Sequence, residues 1–300
     1  MSASIPELRR LAILLRARPP ASAGPACAAV GASRALGALG TLATLAFLLR
    51  SVPASAQDFA SPAPPGSFAT PAIFLEHGLP ALPAAPAVEA VATSWYGMPE
   101  LATRAVALCA GWRSARAAAG ISRTGGSELG WTTAAFALGV AAQGGGGALR
   151  AAARRDADPA PIDAALGPGA GLEVGGGVWV EAGAGITLIA SAPQMFTHGG
   201  APPLGRGLEI GASWAMDDLS LRLTRTSARG GAGAAQHEAD LALSAGPITV
   251  WLEARDLPAR GALGLSARAR AVTVAGAIES HPVLGQTVRI ALMLSRPPAP

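Results

Sequence analysis

The chain has 300 residues, half of them hydrophobic, with 38 Gly, 25 Pro, 23 basic and 19 acidic side chains, and a formal charge of +4. A positive mean hydropathy over that length is enough for one large folded body with a sizeable interior and excludes disorder over most of the chain. No Lys and no Asn occur, so every basic residue is Arg; no stretch interleaves them with aromatics, which excludes a nucleic-acid partner.

The first predicted element is a targeting segment. Arg34 is followed by an uncharged apolar run from Ala35 to Leu49 and then by Arg50-Ser-Val-Pro-Ala-Ser-Ala, an A-x-A-like site that predicts cleavage before Gln57. The run is shorter than the roughly 20 apolar residues of a membrane helix. Residues 1–56 therefore read as a signal peptide with a long n-region. Removing them takes away six arginines and one glutamate, and the 17 Arg and 18 acidic residues that remain sum to −1. The sequence pI near 10.3 overstates the basicity of the exported chain. Cys27 precedes the apolar run instead of following it, which argues against lipid attachment; Cys109 is then the single cysteine left, so no disulfide framework supports the fold.

Residues 57–87 are rich in Pro and Ala, disfavouring a long helix or continuous sheet, and read as an irregular lead-in. Beyond them, residues 88–296 break into short apolar or alternating runs punctuated by Gly, Pro and Asp about every dozen residues, the signature of many antiparallel strands in one β-domain. In chain order these include RAVALCAGW, GWTTAAFALGV, ALRAAARRD, AGLEVGGGV and EAGAGITLIA. A hairpin follows in which Leu208, Ile210, Ala212 and Trp214 alternate before Met216-Asp217-Asp218, and Leu219, Leu221 and Leu223 alternate after it. HEADLALS, ITVWLEARDL, ALGLSARAR, AVTVAGAIES and TVRIALML complete a count of about fourteen strands, twelve at the lower estimate, with residues 297–300 as a tail.

Within these runs one side holds Leu, Val and Ile, and the other holds charge: Arg150, Arg154, Arg222, Asp240, Glu253, Arg255 and Arg289. A soluble sandwich would turn the charges to water and the aliphatics to a second sheet. A transmembrane barrel would turn the aliphatics to lipid and the charges to the lumen. Alternation alone does not choose. The signal peptide, the Gly and Ala on the inward positions, and the number of strands without an intervening helix favour an antiparallel up-and-down barrel, because closure removes edges and satisfies every backbone group in lipid.

Three phrases, Ser94–Leu101 (SWYGMPEL), Ile121–Trp131 (ISRTGGSELGW) and Glu279–Leu294 (ESHPVLGQTVRIALML), resemble the PorV/PorQ group of outer-membrane proteins, within the broader FadL-like fourteen-stranded barrels. The resemblance implies a monomeric barrel in the bacterial outer membrane whose N-terminal segment tucks into or against the lumen, with secretion-system or envelope proteins as partners in some members. The chain departs from that pattern in having Leu82–Pro86 (LPAAP) where an Asn-Pro-Ala phrase is usual and in lacking a terminal aromatic on the last strand. A FadL-like diffusion pore or hydrophobic-solute channel is the alternative role, and a secreted binding sandwich is the alternative fold.

Catalytic chemistry finds little footing. His77, His198, His237 and His281 have no ligand-like neighbour at short spacing, and Ser280 beside His281 would point to the opposite face of a strand. Gly144–Gly147 lacks the Lys and Ser or Thr of a phosphate loop and reads as a flexible turn, and Arg154–Asp158 lacks the spacing of a calcium loop and reads as a solvated strand end. No enzyme activity, cofactor or metal is expected. The seven charged residues above are the candidate lumen lining; Arg150, Arg154, Arg222 and Arg289 would make a weakly anion-selective pore or, the favoured reading, pair with Asp240, Glu253 and Glu279 across the lumen and fill the interior.

Overall fold

A computed structural model describes residues 59, 61–62, 70–79, 86–126, 130–156, 170–199, 206–228, 235–256 and 259–296. The signal peptide and the tail lie outside the described residues. Fourteen antiparallel strands run in sequence order and close on themselves: β1 Ala87–Ser94, β2 Thr103–Trp112, β3 Ala115–Gly125, β4 Gly130–Ala142, β5 Gly145–Asp156, β6 Ala170–Gly183, β7 Ile186–Gly199, β8 Arg206–Met216, β9 Leu219–Ala228, β10 Gln236–Ala245, β11 Ile248–Asp256, β12 Ala259–Ala269, β13 Val272–His281 and β14 Gly285–Ser295. The seam pairs Ala87 with Ser295 through to Ser94 with Val288. A sandwich is thereby excluded, since no second sheet exists among the described residues to cover the aliphatic side chains.

The two ends of the barrel differ. At one rim six hairpins turn over two residues each, at 113–114, 143–144, 184–185, 217–218, 246–247 and 270–271. Arg113, Asp217 and Arg270 there take positive φ, as do Ala184 and Gly185 together, the backbone that matches the twist of a tight hairpin. At the other rim the separations run from two residues between β11 and β12 and three between β13 and β14 up to eight between β1 and β2 and thirteen between β5 and β6. Short turns on one side and longer connections on the other characterise outer-membrane barrels, with the longer ones outside the cell.

Period two decides which residues meet lipid. Val106, Leu108, Phe136, Leu138, Leu149, Leu241, Leu243, Leu263, Leu265, Ile290 and Leu292 all project outward and stay 39–63 % exposed, so the molecule wears an apolar belt that water would not tolerate. With every ladder closed, no backbone edge faces that belt. The chain is a bacterial outer-membrane β-barrel.

Two tryptophans turn into the lumen, whereas Trp112 stands outward at the short-turn rim. Trp179 and Trp251 are 4 % and 3 % exposed and point inward. Each sits against glycine: a Cβ on Gly264 would fall 2.0 Å from the Trp251 indole, and one on Gly146 would fall 2.9 Å from Trp179 Nε1. Gly145–Gly147 accordingly belong to β5, not to a turn; only Gly144, at φ +84°, lies in the turn.

Candidate functional site: a plugged lumen with a charged wall

Fourteen strands about 4.8 Å apart and tilted by roughly 40° enclose a cylinder roughly 28 Å across between backbones, wide enough to admit a helix about 10 Å across beside a polar passage. A short helix does enter it. Helix α1, Pro71–His77, starts on Thr70, whose hydroxyl accepts from the Ile73 amide at 3.2 Å, carries Pro in its first turn, and stops on Gly78 at φ +66°. The proline-rich lead-in thus contains about two turns of helix, short enough for Pro to act only as a starter.

Small side chains on the inward faces of β2 to β6 form its seat. Ala105, Ala107 and Cys109 of β2, Ala118 of β3, Ala135 and Ala137 of β4 and Ala152 of β5 pack with Phe74, Leu75 and Phe59, each of these three 0 % exposed. A Cβ on Gly120 would lie 2.5 Å from Leu75 Cδ1; one on Gly177 would lie 2.7 Å from the His77 carbonyl oxygen. The Gly and Ala of the inward positions therefore make room for the helix on one half of the wall, where Glu89, Arg150 and Arg154 also stand, whereas most of the inward charges gather on the other half.

Polar anchors fix the plug. Glu89, 1 % exposed on β1, accepts from the Ala72 amide at 2.9 Å and from the Ser61 hydroxyl at 2.5 Å. Glu76 accepts from the Phe59 amide at 3.1 Å, and His77 Nδ1 lies 3.2 Å from Glu209 on β8. Arg150 of β5 donates from Nε to the Leu75 carbonyl at 2.6 Å and from Nη1 to the Pro193 carbonyl at 2.5 Å, with Glu173 at 3.7 Å. It binds the free carbonyl end of the helix, where a cation is electrostatically favoured. Arg154, also inward and buried, stacks its guanidinium 4.2 Å from the Trp131 ring centroid.

The remaining five candidates occur together on β9 to β14. Arg222 donates to Asp240 at 2.6 Å and to Glu238 at 2.7 Å. Arg255 reaches Glu238 and Glu253, both at 2.6 Å. Arg260 meets Glu279 at 2.9 Å, and Arg289 bonds the other oxygen of the same carboxylate. Asp240 and Glu253 are direct cross-strand partners, an unfavourable like-charge pair that Arg222 and Arg255 bracket. Arg150 and Arg154 are thus separate from this network, one serving the plug and the other an indole. Glu209, Glu238 and Arg260 belong to the lining too; each falls two residues from another inward position, so the parity that selects Asp240 also selects Glu238.

Between the plug and this wall lies a cleft with about 680 Å³ of empty space, part of it open to solvent, bordered by Glu76, His77, Glu209, Arg222, Glu238 and Arg255. Oxygens of Glu238, Asp240 and Glu253 come within 4.8 Å of one another. Arg222 and Arg255 already pair with all three, so the cluster is an ion-pair lattice and not a cation cage. His281, the last residue of β13, caps the turn that follows: Nδ1 accepts from the Val283 and Leu284 amides at 3.2 and 3.0 Å. His237 and Asp256 pair at 2.7 Å on the outer surface of the longer-connection rim.

No family model matches the chain, and no curated protein matches it. Among solved structures it is similar to a multiply substituted Rhodopseudomonas blastica porin, at 11 % identity and a TM-score of 0.42 over 70 % of this chain and 98 % of that one. It is similar also to the Acinetobacter baumannii outer membrane protein Omp33, at 7 % identity and a TM-score of 0.46 over 73 % of this chain and 99 % of that one.

Proposed function

We propose that the protein is a constricted diffusion channel for small hydrophilic solutes, whose path is the cleft between α1 and the arginine-and-carboxylate wall of β9 to β14. The carrying observation is the division of the lumen: an apolar half filled by Phe59, Phe74 and Leu75, and a polar half left with a water-compatible cleft lined by both signs of charge. A lining whose charges pair laterally along the wall presents alternating dipoles to a solute and little net field, which suits neutral or zwitterionic cargo better than a strongly charged one. Planar-bilayer recording of the full chain tests this. Small, steady conductance that grows when Arg150→Ala frees the Leu75 carbonyl is the expected result; a folded barrel that stays silent in both forms overturns it.

A second reading, a barrel that presents a rim to envelope or secretion proteins, is favoured by the meeting of the three PorV/PorQ-like phrases at the longer-connection rim. Tyr96 packs edge-on against His281 with ring centroids 5.7 Å apart, its amide donates to Thr287 at 3.3 Å, and Trp95 donates to Thr103 at 2.8 Å, which in turn bonds Thr124. Co-purification from cross-linked envelopes, lost when residues 95–102 are replaced, would support this role; the unchanged barrel alone would remove it.

A further inference from the structure

The outer surface carries a charged feature that lumen chemistry does not use. On the lipid side of β2 to β5, at the rim of the longer connections, one cross-strand row reads Ala92, Arg104, Arg123, Thr132, Arg155 and Ala170. All three arginines point outward and are exposed. Arg104 and Arg123 are direct partners on neighbouring strands, and Arg155 lies two strands further, so the guanidiniums start from backbones about 5 and 10 Å apart. Like charges set directly opposite destabilise a sheet unless an anion lies between them. The outward strand positions beside them, Ala90, Ala92, Val106, Ile121 and Ala134, supply none.

Height in the membrane decides what that anion is. Arg104 and Trp112, an outward residue 71 % exposed at the short-turn rim, are separated by eight residues of β2. At about 3.3 Å per residue and a tilt near 40° this is roughly 20 Å along the membrane normal, close to the roughly 25 Å of an outer-membrane barrel's apolar band. Val106 and Ile121, 48 % and 55 % exposed, lie one outward step below the row. The arginines therefore stand where acyl chains end and headgroups begin, in the outer leaflet given the placement of the longer connections. The opposite wall provides an internal contrast. There the row Ile210, Arg225, His237, Asp256 contains its own carboxylate, which His237 engages at 2.7 Å.

We infer that Arg104, Arg123 and Arg155 form a binding site for the phosphorylated headgroup of an outer-leaflet lipid. Guanidinium forks bind phosphate bidentately and remain charged at any accessible pH, which a headgroup site at the membrane surface requires. The flanking Val106 and Ile121 accept the acyl chains of the same molecule, so the site recognises an amphiphile and not a free anion.

The test uses the full chain extracted in non-ionic detergent, with diphosphorylated lipid A as the probe and native mass spectrometry as the readout. The expected result is retention of lipid A by the folded barrel, about tenfold weaker retention by the R104Q/R123Q/R155Q variant, no retention of a dephosphorylated glycolipid, and no displacement by inorganic phosphate. Arg225→Gln should leave retention unchanged. Heat-modifiable gel mobility verifies folding in every case, and Arg123→Gln alone carries the same direction of effect if the triple variant fails to insert. Equal retention by folded wild-type and variant chains overturns the site, and displacement by inorganic phosphate reassigns it to a free anion and overturns the lipid as its ligand.

Discussion

Arg150 shows how a charged lumen residue can be structural. Its two donors go to main-chain carbonyls of the plug and of β7, so replacing it strands two buried acceptors at about 1–3 kcal/mol each. Arg150→Lys retains the charge without the fork and should recover only part of that loss. Gly177→Val tests the seat from the other direction, because its Cβ would meet the backbone of α1 at 2.7 Å and the helix cannot yield by turning a side chain. The expectation for Gly177→Val is a barrel of unchanged heat-modifiable mobility in which a protease cleaves near residues 70–79, whereas the wild-type segment resists. Period two in the sequence identifies Arg150 as inward. It does not separate a residue that lines a path from one that grips a helix, because that distinction depends on the Leu75 carbonyl, 75 residues away.

At the scale of elements, the two faces of one strand provide the sharpest test of the membrane placement. Phe136 near the centre of β4 is 48 % exposed and flanked by the buried Ala135 and Ala137. Phe136→Arg should cost roughly 2–4 kcal/mol in a lipid-inserted barrel, measured as a shift in the urea midpoint of folding into vesicles. At an exposed position on a water-soluble sheet it would cost almost nothing. Strands such as β9, with Leu219, Leu221 and Leu223 set against Ser220, Arg222 and Thr224, declare their faces in the sequence. β3 does not: its outward side carries Ala115, Ala117, Ala119 and Arg123, its inward side Arg116, Ala118 and Gly120, and alanine on both faces erases the period. The short helix was equally hidden, since seven residues hold too few turns for a 3.6-residue repeat to stand out from a proline-rich background.

For the whole molecule, the balance of charge around the cleft should set ion preference. Glu238 joins Arg222 to Arg255, and removing its charge takes one negative charge from a cluster of three carboxylates and two guanidiniums, leaving Arg222 with Asp240 and Arg255 with Glu253. Glu238→Gln is therefore expected to move the reversal potential in a salt gradient toward that of the anion, with a loss of stability of roughly 1–3 kcal/mol from the weakened charge-assisted hydrogen bonds. An unchanged reversal potential in a conducting channel would place the ion path elsewhere. The closed sheet, its strand number and its lipid-facing side were readable from alternation because a barrel imposes the same local rule on every strand. The partition of the lumen was not, because it depends on which strands stand next to α1 across the bore.

The seam has a consequence for chain connectivity. Ala87 and Ser295 are ladder partners at the short-turn rim, and the Arg296 amide donates to the Pro86 carbonyl at 3.1 Å, so both ends of the sheet emerge side by side. A two-residue link like the six already found at that rim could splice them, and a cut at Ala184–Gly185 would then create new termini at the same height. Such a circular permutant keeps the cylinder but detaches α1 from β1, turning a tethered stopper into a separate peptide whose affinity for its Gly and Ala seat can be titrated.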